Sequence, residues 1–192
     1  MTDTATEKNQ KTIADYVGDM NAVESHIEEA LDRQLDMFSD LPDVAAAIKG
    51  FHDMVKAQRD HVQQVLDGLP KESPTNAVKD LGSSLLGKAA GMLDKIRTES
   101  QSKALRDDYT AFNLAAVSYA MLYTTAESLG NSEVAEMSKR HLRGYAGAIQ
   151  KINNLIPAVV VHELAKDGHR ADTAVIARAQ KVIDEAWRQT AQ

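Results

Sequence analysis

Cysteine is absent from this sequence of 192 residues. Its absence excludes disulfide bonds, thiolate metal sites and cysteine nucleophiles. Proline and glycine are also scarce, with 4 and 10 residues respectively, and no stretch alternates apolar and polar residues as a strand does. Alanine and leucine, which favour helices, are abundant instead. This composition predicts an almost wholly helical protein.

The sequence also lacks a basic excess and a long apolar run. Its formal net charge is −6, which argues against a nucleic-acid partner because such proteins carry a basic face. No apolar run approaches the roughly 20 residues of a membrane span. The first residues, 1–12, are polar and contain no signal-peptide core. We therefore expect a cytoplasmic protein that binds neither nucleic acid nor a membrane surface.

Apolar residues spaced three and four apart predict four long helices, at about 9–39, 43–67, 103–129 and 133–156. Short links join the first helix to the second and the third to the fourth, so each pair should form an antiparallel hairpin. Residues 70–102 carry a further helical pattern and are numerous enough to cross the bundle. Hairpin, long helical crossover and hairpin is the ferritin-like topology. The predicted fold is therefore an all-α, ferritin-like four-helix bundle with a further helix at its C-terminus.

One domain is predicted over residues 1–192, with the bundle at about 9–156 and a C-terminal extension at 157–192. Pro157 should stop or kink the fourth helix, because proline removes a backbone hydrogen bond. The last helix is predicted to end at about Thr190. Its predicted inward residues are Val175, Ala179, Val182 and Ala186.

A carboxylate interrupts the apolar face of the first helix. Glu24 lies between Met20 and Ile27, at a place where the three-four spacing calls for an apolar side chain. Burying a carboxylate is costly unless a partner compensates it. His61, near the middle of the second helix, is the candidate partner, and we expect the two side chains within hydrogen-bonding distance. Glu28 follows one turn after Glu24.

Three interpretations of Glu24 and His61 stay open. The two form a buried pair without a metal, or they belong to a metal or small-ligand site, or Val23 takes the inward place and Glu24 reaches solvent. Ferritin-like dinuclear sites draw a Glu from each of two helices and Glu-x-x-His from each of the other two. Here Gln58 stands three residues before His61, where the acid belongs.

The candidate metal ligands are Glu24, Glu28 and His61, the remainder of an incomplete site. A dinuclear centre brings about four positive charges into the core, and carboxylates must neutralise most of them. With so few acids we expect no cofactor and no dinuclear centre. The alternative is iron or manganese, which carboxylate and imidazole ligands suit. No catalytic residue and no small-molecule ligand is predicted.

Segments 19–24, 61–65 and 118–130 resemble the YciE/YciF-type branch of ferritin-like proteins. The resemblance covers roughly residues 12–156. It implies a small bundle built for a dinuclear site, often dimeric and linked to the bacterial stress response.

Matched by position, the resemblance carries two of that family's metal ligands onto this chain. Its first-helix Glu falls on Glu24 and its second-helix His on His61. Its remaining ligands fall on residues that are not carboxylates: the second-helix Glu on Gln58, the third-helix Glu near Ala115, and the fourth-helix acid near Gly144 or Tyr145.

Three functions are expected from these patterns, and the first is preferred. It is a stress-associated structural or binding protein, a homodimer and not an enzyme, whose dinuclear site is not intact. The second is an iron-handling protein or oxidase that uses Glu24, Glu28 and His61. The third is binding to a membrane or a partner through the crossover helix, whose apolar stripe is flanked by Lys79 and Lys88.

Overall fold

A computed structural model describes residues 2–69 and 100–189 of the chain. In these ranges the chain forms no strand and five helices: α1 (Thr2–Asp32), α2 (Pro42–Gly68), α3 (Gln101–Ser128), α4 (Ser132–Lys166) and α5 (Val175–Gln189). The predicted all-α bundle of four long helices with a further C-terminal helix is confirmed. The predicted crossover at 70–102 lies outside the described residues, except for its last three.

Four of the helices pack around one apolar core. Helix α1 contacts α2 and α3, α4 contacts α2 and α3, and α5 contacts α4. Phe51 of α2 and Phe112 of α3 meet edge to face across the core, with ring centroids 5.3 Å apart. Edge-to-face aromatic pairs add stability beyond the apolar area that they bury. Within the described ranges, no helix is both long and apolar enough to cross a membrane.

Local residue chemistry sets several helix ends. Pro42 opens α2, where its missing N–H would have had no helical partner. Gly130 follows α3 with a φ of +75°, a left-handed conformation that favours glycine. Asn131 then caps α4, because its side-chain oxygen accepts a hydrogen bond from the N–H of Val134 at 3.0 Å.

Asp40, in the connection between α1 and α2, ties three parts of the chain together. It accepts hydrogen bonds from Gln101 at the start of α3 (2.6 Å) and from His162 and Lys166 near the end of α4 (3.0 Å each). The bonds from His162, Gln101 and Lys166 hold the pKa of the Asp40 carboxyl well below its usual range. These polar contacts therefore hold the connection between α1 and α2 against the start of α3 and the end of α4.

Three predicted helix boundaries are wrong. Helix α4 continues through Pro157 to Lys166, because Val159 and Val161 beyond the proline are buried, and their packing outweighs one lost backbone hydrogen bond. Helix α1 begins at Thr2 rather than at about residue 9. It ends at Asp32 rather than at residue 39, and residues 33–40 form turns.

The predicted inward face of α5 is wrong except at Ala179. Val175 and Val182 are 38% and 65% exposed, whereas Ile176 and Ile183 are partly buried on the helix that packs against α4. Two apolar stripes run along this helix. The stripe with the larger isoleucine side chains is buried because it removes more apolar surface from water.

Helices α2 and α4 approach each other closely at Gly144. A Cβ atom at this position would lie 2.5 Å from Nε2 of Gln58 and 3.1 Å from Sδ of Met54. The Gln58 side chain is itself buried, at 7% exposure, so it has little room to move. Gly147, one turn later on the same helix, would place a Cβ where nothing lies within 4 Å.

Gly144→Ala and Gly147→Ala should therefore change stability in opposite directions. Alanine favours the helix over glycine by about 0.5–1 kcal/mol, and Gly147→Ala should gain about that amount. Gly144→Ala should instead lower the free energy of unfolding by about 1–3 kcal/mol, because the added methyl overpacks the contact with Gln58. Denaturant unfolding of both variants measures the difference. Equal gains in stability would contradict the close approach.

Candidate functional site

Glu24 lies in the centre of the bundle and is fully buried. The hydroxyl of Tyr119 on α3 donates a hydrogen bond to Oε1 at 2.5 Å, and the hydroxyl of Tyr145 on α4 donates to Oε2 at 2.5 Å. The two tyrosine rings stack with centroids 6.0 Å apart. Each oxygen of the carboxyl group therefore has a donor, and the two bonds are strongest when Glu24 is ionised.

Two histidines extend this network towards the surface. Nδ1 of His141 lies 2.9 Å from the Tyr119 hydroxyl, and Nε2 of His141 lies 3.0 Å from Nδ1 of His61. Because the Tyr119 hydroxyl donates to Glu24, its oxygen can accept from Nδ1–H of His141. Nε2 of His141 can then accept from Nδ1–H of His61. A continuous chain of hydrogen bonds thus joins the buried Glu24 to His61, which is partly exposed.

Burial controls the charges of this network. It raises the pKa of Glu24 to about 7, while the bonds from Tyr119 and Tyr145 lower it and the charge of Glu28 raises it further. Burial and the nearby His61 lower the pKa of His141 to about 3. Burial and the charge of Glu24 keep the pKa of both tyrosines well above their usual value. At neutral pH the tyrosines and His141 are therefore uncharged.

Glu24 lies in the core as predicted, but its predicted partner is wrong. His61 bonds to His141 and reaches Glu24 only through His141 and Tyr119. The reason is that hydroxyls from α3 and α4 occupy both carboxylate oxygens. The interpretation that turns Glu24 to solvent in favour of Val23 is also wrong, since Glu24 has no exposed surface.

The predicted metal ligands do not converge. Glu28 forms an ion pair with Arg59 of α2, and the Glu28 side chain is only 13% exposed. Among the described residues, no group of three or more His, Asp and Glu is placed to hold a metal ion. The alternative, in which Glu24, Glu28 and His61 bind iron or manganese, stays a prediction.

A dinuclear iron or manganese centre does not fit the side chains at this site. Glu24 is the one acid in the network, and its oxygens face tyrosine hydroxyls. Gln58 stands three residues before His61, where the Glu-x-x-His pattern places an acid, and its side chain lies close to Gly144. Oxygen Oε1 of Gln58 is buried without a donor among the described residues, but one neutral amide oxygen supplies no negative charge to offset two divalent ions.

Sequence reasoning missed three residues of the network, namely Tyr119, Tyr145 and His141. All three lie at positions that the three-four spacing of α3 and α4 turns inward, but this spacing does not show that they meet Glu24. A signal was present, since a buried hydroxyl or imidazole needs a hydrogen-bond partner. Glu24 was the buried acceptor predicted on the facing helix.

A separate apolar groove runs between the first half of α1 and the second half of α3. Its volume is about 750 Å³, and Tyr16, Val117 and Met121 are among its lining residues. Val117 and Met121 are 60% and 51% exposed. The groove leaves apolar surface of α3 open to solvent.

Fold and site together define a helical-bundle protein whose core holds a network of carboxylate, tyrosine and histidine side chains. Residues 9–165 match the family described as "Domain of unknown function (DUF892)". The match covers most of the chain, and the protein belongs to this family. No curated protein and no solved structure matches the sequence.

Replacement of Glu24 tests the network. Glu24→Ala should lower the free energy of unfolding by about 2–5 kcal/mol, because it leaves two buried hydroxyls without an acceptor and opens a cavity. Glu24→Gln should cost less, since its amide oxygen still accepts one hydroxyl. Glu29→Ala is the matched control on the same helix, where the side chain is 66% exposed. Denaturant unfolding that gives Glu24→Ala and Glu29→Ala equal stability would contradict the network.

Proposed function

We propose that this protein is a ferritin-like bundle that works without a dinuclear metal centre, as a structural or binding protein rather than an enzyme. One observation carries the proposal: both carboxyl oxygens of Glu24 accept hydrogen bonds from tyrosine hydroxyls. In a bridged dinuclear centre those oxygens would coordinate the ions. Here they stabilise the contact of α1 with α3 and α4.

The charge of the site supports the same proposal. Two divalent ions would need several carboxylates in a core that water does not reach. Glu24 is the single acid of the network, and the charge of Glu28 is balanced by Arg59. The imidazole of His141 is held neutral by burial, but its two nitrogens already face Tyr119 and His61.

The resemblance to YciE/YciF-type proteins supports two finer parts of the proposal. The first is a role in the bacterial stress response, and the second is a homodimer. Exposed apolar side chains support association as well, because large apolar patches on a protein surface commonly mark contact sites. Leu114, Val117 and Met121 follow one another along α3 and are 40%, 60% and 51% exposed.

Metal analysis tests the proposed absence of a dinuclear centre. Full-length protein and Glu24→Gln, produced with iron and manganese supplied, should both carry well under one equivalent of either metal after purification. Neither should oxidise ferrous iron faster than buffer does. Two equivalents in the wild-type protein that are lost in Glu24→Gln would overturn the proposal and favour an iron-handling function.

Sedimentation or light scattering tests the homodimer. The chain has a mass of 21.0 kDa, and in solution it should have twice that mass at micromolar concentration. A mass of one chain throughout the micromolar range would contradict the homodimer without affecting the metal-free site.

A further inference from the structure

A second buried polar contact joins the end of α1 to α3, away from Glu24. Gln34, just after α1, and Asp108 on α3 are 1% and 2% exposed. Nε2 of Gln34 donates a hydrogen bond to Oδ1 of Asp108 at 2.8 Å. Within the described part of the chain, the other oxygen of each group, Oε1 of Gln34 and Oδ2 of Asp108, is buried and has no donor.

A single proton would satisfy both of these oxygens. A carboxylic acid and a primary amide pair through two bonds, in which amide N–H donates to the acid C=O and acid O–H donates to the amide oxygen. The first of these bonds is present, and the two oxygens without donors belong to the same two groups. A proton on Oδ2 of Asp108 supplies the missing donor. Leaving both oxygens unsatisfied would cost about 1–3 kcal/mol each.

We propose that Asp108 is a neutral acid in the folded protein, that it forms a reciprocal acid–amide pair with Gln34, and that this joint between α1 and α3 weakens as the pH rises.

The surroundings of Asp108 favour its neutral form. Burial raises the pKa of this carboxyl to about 7, against the bond from Gln34, which lowers it, and with the charge of Asp107, which raises it further. Asp107 is itself paired with Arg106. No ion pair to Asp108 occurs in the described ranges, so no cation there holds it as a carboxylate.

The other charged groups at this end of the bundle form ion pairs or hydrogen bonds, or they are exposed to solvent. On α1 and in the connection after it, Arg33 pairs with Glu29, and Asp36 is exposed. Asp43 at the start of α2 is exposed as well. At the end of α4, His162 and Lys166 pair with Asp40, and Glu163 accepts hydrogen bonds from Ser100 and Ser102.

The pH dependence follows from the difference between the folded and unfolded states. The pKa of Asp108 rises from 3.8 to about 7 on folding, so between these values the folded state holds a proton that the unfolded state has released. Stability therefore falls as the pH rises through this window, by up to about tenfold in the unfolding equilibrium constant per pH unit. Above the window the acid is ionised in the folded state too, and the second bond of the pair is lost.

Asp108→Asn separates this effect from all other titrations. The asparagine amide has the shape of the acid, and its Nδ2–H can donate to Oε1 of Gln34 at every pH. Other titrating groups, Glu24 included, contribute equally to both proteins and cancel in the difference. Relative to Asp108→Asn, the wild-type protein should lose stability steadily from about pH 4 to about pH 7. Asp107→Asn is the matched control and should show no comparable trend against the wild type.

Carbon-13 NMR of the aspartate carboxyls in the wild-type protein gives an independent test. This measurement does not depend on whether the Asp108→Asn variant folds. The Asp108 signal should titrate with a midpoint near pH 7, far above that of an exposed aspartate, because burial and the pair with Gln34 favour the neutral acid. A midpoint near the ordinary value of 3.8 would overturn the proposal. So would a stability difference between wild type and Asp108→Asn that does not change with pH.

Discussion

The hydrogen bonds from Tyr119 and Tyr145 to the carboxylate of Glu24 constrain the whole bundle. Glu24 is fully buried, and a carboxylate without partners would be too costly to bury. Its two donors come from α3 and α4, so the three helices must keep one relative register. A shift of any one of them by a residue would turn its polar group away from the other two. The network thus specifies the packing of the core as well as filling it.

The same network determines what the core can do. In a ferritin-like site, inward carboxylates coordinate metal ions, and the negative charges of the carboxylates offset the positive charges of the ions. Here the hydroxyls of Tyr119 and Tyr145 donate hydrogen bonds to Glu24, and these bonds stabilise the single buried acid. A second buried acid accepts a hydrogen bond near the end of α1, where Gln34 donates to Asp108. Both buried carboxyls have a pKa raised to about 7 by burial, and both lie where α1 meets α3.

Much of the fold follows from local sequence patterns. Three-four spacing identified the four long helices, and the roles of Pro42 and Gly130 at helix ends follow from their own backbone chemistry. The patterns failed where distant packing overrides a local rule. Helix α4 continues past Pro157 because Val159 and Val161 are buried in the core, and no local signal shows how deeply a residue beyond a proline will pack.

The candidate site was only partly predictable for the same reason. The burial of Glu24 followed from its spacing on α1, which is a property of one helix. Its partners follow it by 95 and 121 residues in the chain, and spacing does not say which side chains meet across a bundle. His61 was therefore assigned to Glu24 directly, although it contacts His141. The contact of Gly144 with Gln58 likewise depends on how closely α2 and α4 approach.

We propose that Glu24 acts as a hydrogen-bond acceptor and not as a metal ligand. The most direct test is the unfolding temperature of the full-length protein, measured with excess manganese or ferrous iron and with a chelator. A metal that binds the folded state more tightly than the unfolded state must raise this temperature by mass action. The account predicts the same unfolding temperature in metal and in chelator. An increase of several degrees with either metal, reversed by the chelator and absent in Glu24→Gln, would contradict it.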